Sequence, residues 1–153
     1  MYALLVRLVP VADCIVRGLD AWAAPVADLL IRVALFGVFF GAGLAKVADW
    51  NGTLTLFAHD YAVPVLPAAT AATMAAFDEL VAATLLLVGL GARLAALPLL
   101  AQALVIQFSL GPAYNTLEHW LWIVLLLTVI ARGPGLLSLD HMVRRRLLPD
   151  SPL

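Results

Sequence analysis

Four apolar runs, at about residues 28–47, 67–90, 93–110 and 116–131, dominate this chain. A membrane-spanning helix needs roughly 20 mostly apolar residues. The first two runs meet that length, and the last two are shorter, with soft edges. Mean hydropathy is +1.03, apolar residues make up 64% and charged residues only 12%. Soluble domains are about half apolar and about a quarter charged. A chain of 153 residues cannot bury the excess in one core. The sequence therefore predicts an all-α integral membrane protein, a bundle of four transmembrane helices.

Organisation follows from what lies between the runs. Residues 1–27 place Leu4, Leu8, Val11, Ile15, Leu19 and Trp22 on one helical face and Arg7, Asp13, Arg17 and Asp20 on the other. That pattern predicts an interfacial amphipathic helix, bent at Pro10. A four-helix membrane domain occupies residues 28–143, and a basic cytoplasmic tail residues 144–153. The segment 48–66 is too polar to span and too apolar to hang free, so it is expected to fold back on the bundle. A turn is expected at Pro64–Pro67, and a helix end at Gly111-Pro112. Gly37 and Gly41 form a small-xxx-small pair, expected to serve ordinary helix packing. Arg32, Arg93, Arg132 and Arg144–Arg146 fall on one side if both termini are cytoplasmic, as the positive-inside rule asks. This predicts a multi-pass protein of the bacterial inner membrane. A net charge of −1 leaves no basic face for nucleic acid. The lone Cys14 cannot form an intrachain disulfide.

Ionisable groups inside a bilayer are costly, so each needs a role. Glu79 lies near the middle of the second run, with Asp78 beside it. In an α-helix the two point about 100° apart, so only one is expected to face inward. Lys46 and Arg32 on the first helix are the available cations. Gln102 and Gln107 add hydrogen-bonding capacity on the third. Two readings stand. Glu79 pairs with Arg32 or Lys46 to fix the bundle's register, or these groups line a ligand pocket between helices. The candidate ligand-binding set is Glu79, Lys46, Arg32, Gln107 and Asp78. A separate metal candidate comprises His59, His119 and Glu118 on the outer side, with mixed nitrogen and oxygen donors. Their spacing matches no metal motif. The sequence has no P-loop, GxGxxG, HExxH or GxSxG pattern.

An ordered series of residues carries a resemblance. Arg32 is followed by Gly43-Leu44-Ala45-Lys46, then Glu79, then Gly89-Leu90-Gly91-Ala92-Arg93. The series closes with Gly133-Pro134-Gly135-Leu136-Leu137-Ser138-Leu139-Asp140. Over residues 28–143 the chain resembles the DoxX family of small bacterial four-helix membrane proteins. The resemblance implies a redox-associated membrane protein, since the family name comes from a membrane component of a thiosulfate:quinone oxidoreductase. It transfers to Arg32, Lys46, Glu79, Arg93 and Asp140. The function expected from it is binding of a quinone or similar amphipathic molecule within the bundle, beside a partner oxidoreductase subunit. Two alternatives are a non-catalytic scaffold recruiting a soluble enzyme, and copper handling at the outer histidines. The lipid bilayer is the surrounding partner, and a homo-oligomer is compatible with the sequence.

Overall fold

The computed structural model describes residues 2–61, 66–109 and 116–147, with side chains described for 10–61, 66–108 and 116–147. The described residues are helical throughout, joined by turns. The expected turn at Pro64–Pro67 falls partly, and the Gly111-Pro112 helix end wholly, outside them.

Helix α1 (Tyr2–Gly18) does not stop before the first apolar run. It passes through a π-helical turn, Leu19–Ala23, into α2 (Ala24–Ala48). Pro25, which has no N–H to donate, follows closely on this π turn, a local break in the α-helical hydrogen-bond ladder. The amphipathic segment is therefore continuous with the first rod rather than a separate element. Its apolar residues Val11, Ile15, Leu19 and Trp22 are exposed, and Arg17 pairs with Asp13 one turn away.

Asp49 ends α2 and caps α3 (Trp50–His59), its carboxylate accepting from Gly52 N at 2.9 Å. Such a side-chain cap satisfies one orphan donor of the new helix. Helix α3 lies against α4 (Ala68–Phe77) through Phe57, Ala71, Ala72 and Ala75, so the described helical part of the 48–66 segment does return to the helices. A second π turn, Asp78–Ala82, joins α4 to α5 (Ala83–Val88) in one continuous rod. Gly89 closes that rod at φ 71°, a left-handed conformation that favours glycine. Helix α6 (Ala92–Ser109) follows at once, and α7 (Leu117–Arg132) and the short α8 (Leu139–Leu147) complete the chain.

One core joins α2, the α4–α5 rod, α6 and α7. Leu35 and Phe39 meet Ala83 and Leu86, Ala96, Leu99 and Ala103, and Leu126 and Val129. The many alanines let the rods approach closely. Glycine has the same effect at Gly43. A Cβ there would lie 2.9 Å from Leu80 Cγ and 3.0 Å from Glu79 Cβ. Gly37 and Gly41, by contrast, have open space around them, so the close approach expected there occurs at Gly43 instead. The outer surface is apolar: Leu30, Val33, Leu44, Leu97, Leu121 and Val124 are all exposed. Pro10–Ala48 and Ala68–Val88 are long and apolar enough to cross a membrane, and Ala92–Phe108 is a shorter apolar helix.

We expect Gly43→Ala to destabilise the protein by about 1–3 kcal/mol, because an overpacked contact must push the rods apart. Thermal unfolding in detergent measures this, and Gly41→Ala, with open space around it, should change little.

Candidate functional site

Three rods each place one polar side chain at a common point. Lys46 comes from the last turn of α2, Glu79 from the π turn, and Gln102 from the middle of α6. Lys46 Nζ donates to Glu79 Oε1 at 2.7 Å and to Oε2 at 2.8 Å. Gln102 Nε2 also donates to Glu79 Oε1. Glu79 is only 2% exposed, so its charge is neutralised within the protein rather than by solvent. Gly43, one turn before Lys46, is what lets α2 come close enough for the pair to form. Thr53 Oγ1 donates to Lys46 O at 3.1 Å and ties α3 to the same place.

A cavity of about 500 Å³ opens beside this network, within the range of small-molecule sites. Its polar lining includes Lys46, Asp78, Glu79 and Gln102. Its apolar lining includes Phe39, Phe57, Met74, Val105, Ile106 and Trp122. Asp78 and Glu79 both reach it, against the expectation that only one faces inward. The π turn accounts for this: its wider i→i+5 ring turns less per residue, so neighbouring side chains splay less. π turns are common at functional sites for such reasons. Asp78 has no hydrogen-bond partner among the described residues.

Two other predicted ligand residues lie elsewhere. Arg32 is fourteen residues before Lys46, about 21 Å along the helix. Its guanidinium is 1% exposed and donates to Leu87 O at 2.5 Å and to Leu137 O. It therefore holds the end of the α4–α5 rod to the segment after α7. Gln107 is buried but does not line the cavity. Five residues separate it from Gln102, a rotation of about 140° around α6. Gln102 is the residue that meets Glu79.

The remaining resemblance residues gather at the Arg32 end. The Asp140 carboxylate accepts from Gly91 N at 2.7 Å and Ala92 N at 3.1 Å, capping α6 from a distant part of the chain. Its own N–H donates to Gly89 O at 2.9 Å. Arg93 and Arg132 flank this junction, with Arg132 3.6 Å from Asp28. Losing the Asp140 caps should cost about 1–2 kcal/mol. Asp140→Ala is expected to melt earlier by that measure, whereas Asp140→Asn should retain part of the capping.

The predicted metal ligands are not assembled. His119 lines the cavity, its Nδ1 3.2 Å from Thr116 Oγ1 and its ring 4.6 Å from that of Trp122. His59 and Glu118 are exposed. No group of three His, Cys, Asp or Glu that could hold a metal occurs among the described residues.

The family model described as DoxX matches residues 27–112, more than half of the chain. The chain belongs to the DoxX family. As a DoxX protein it is a membrane protein, in keeping with its apolar exterior. The DoxX match contains Arg32, Lys46, Glu79, Gln102 and Arg93 but ends before α7 and Asp140, short of the 28–143 span of the resemblance. No curated protein and no solved structure matches the chain.

Proposed function

We propose that this DoxX protein is a redox-associated membrane component that holds a quinone or similar amphipathic molecule in the cavity beside Lys46 and Glu79. The observation that carries this reading is a cavity of about 500 Å³ with a buried charged network on part of its lining and aromatic and aliphatic side chains on the rest. A ligand with a polar ring and an apolar tail complements both parts. Lys46 uses two of its three N–H groups on Glu79, so the third is available to a ring oxygen. The lining side chains can bind, orient and exchange protons, but none carries electrons. Electron transfer therefore falls to a partner oxidoreductase.

The rest of the proposal is the membrane arrangement. Rods α2, α4–α5, α6 and α7 form a four-span bundle. Their shared core and apolar outer surface support this. Helices α6 and α7 are about 27 and 24 Å long, near the 30 Å hydrocarbon thickness that modest thinning accommodates. Arg93, Arg132 and Arg144 line one end of the molecule, and Arg32 bonds there too. That clustering supports an inner-membrane orientation with this end, and both termini, on the cytoplasmic side.

Mass spectrometry of small molecules extracted from the mildly solubilised protein tests the ligand. We expect a quinone with the wild type and strong depletion with Glu79→Gln. Lipid alone in both, with the variant still folded, would overturn the proposal.

A further inference from the structure

We infer that the cavity prefers the reduced, hydroxyl-bearing form of its ring ligand, and that the Asp78 carboxylate is the group that reads the hydroxyl. This rests on the proposed quinone reading and specifies which form occupies the site.

The argument is an inventory of donors and acceptors. Glu79 is committed: Oε1 accepts from Lys46 and Gln102, and Oε2 from Lys46. Gln102 cannot turn its amide over, because its carbonyl would then face the Glu79 carboxylate. Its Oε1 is therefore left as a buried acceptor with no partner among the described residues. Lys46 keeps one N–H. Asp78 keeps a whole carboxylate, half-buried and directed to the same cavity by the π turn. Tyr61 and His119 can donate or accept, so they do not discriminate.

The cavity thus offers its ligand one ammonium N–H against two acceptors unpaired among the described residues, the Asp78 carboxylate and Gln102 Oε1, an excess of acceptors. A quinone carbonyl can only accept. It satisfies Lys46 but meets the ionised Asp78 carboxylate as one acceptor against another. A quinol hydroxyl accepts from Lys46 and donates to Asp78 at once. A site built to pair a hydroxyl rejects the analogue that lacks it, because its own buried polar group is left unpaired. An ionisable residue in an apolar span is costly without such a partner, which gives Asp78 a reason to be there.

The test uses the full chain in nanodiscs freed of endogenous quinone, with decyl-benzoquinone and its quinol titrated anaerobically and followed by tryptophan fluorescence. We expect the quinol to bind at least about tenfold tighter. By linkage, a tenfold preference raises the two-electron midpoint potential of the bound couple by about 30 mV. Asp78→Asn should bring the two affinities together, since its amide can donate to a carbonyl, and Asp78→Glu should keep part of the preference. Equal or tighter quinone binding by the wild type would overturn the inference while leaving the quinone reading in place. So would an unchanged preference in folded Asp78→Asn. Binding of neither form by the wild type would overturn both.

Discussion

Lys46→Met is expected to destabilise the detergent-solubilised protein by about 3–5 kcal/mol, the usual cost of removing one partner from a buried ion pair. The wild-type Lys46 side chain is 18% exposed and that of Glu79 3%, so little solvent reaches the pair. Removing the ammonium leaves the Glu79 carboxylate with Gln102 alone. The combination of Lys46→Met with Glu79→Met should be much milder than the sum of the single changes, because the uncompensated charge is gone. A double-mutant cycle read by chemical unfolding gives the coupling directly. A cycle that closes additively would mean that the two groups do not interact. The Lys46–Glu79 network would then lose its standing as the anchor of the site.

A loss of similar size is expected for Arg32→Met. The wild-type guanidinium satisfies Leu87 O and Leu137 O, which belong to segments 50 residues apart in sequence, and it is fully enclosed. Each carbonyl left without a donor costs about 1–3 kcal/mol. Two such losses, with the packing of a long side chain, approach about 4 kcal/mol. Arg32→Lys should rescue little, because a single ammonium lacks the planar fork that reaches two acceptors in different directions. Thermal unfolding separates this structural role from a ligand role. The variant should melt early, yet bind ligand normally when measured well below its melting point.

The positions of the rods were legible in the sequence because apolar runs and their Gly and Pro boundaries are local signals. The run expected over 67–90 emerges as Ala68–Val88, and that over 93–110 as Ala92–Ser109. What the sequence hid was rotation. Gln102 and Gln107 share one apolar run, and only the facing of α6 decides which meets Glu79. α-Helical geometry sends Asp78 and Glu79 in different directions, and the π turn changes that angle. Arg32 has the right charge for Glu79 but lies about 21 Å along α2 from Lys46, the residue that meets Glu79, and the fourteen-residue spacing already implies that distance. The contribution of α3 to the cavity through Phe57 was beyond reach, because amphipathic segments show no address for the surface they cover. The outer histidines shared a predicted side of the membrane, and a shared side does not bring side chains into ligand range.

The seal that Leu137 and Asp140 place on the Arg32 end has a consequence for biogenesis. Both residues are translated after all four rods. Until they emerge, Arg32 lacks one of its two acceptors, and the first amides of α6 lack their cap. The nascent chain can thus insert its helices early but cannot lock them until Leu137 and Asp140 have been made. A ribosome stalled before residue 137 should leave a loosely held intermediate, marked for membrane proteases by an unsatisfied arginine.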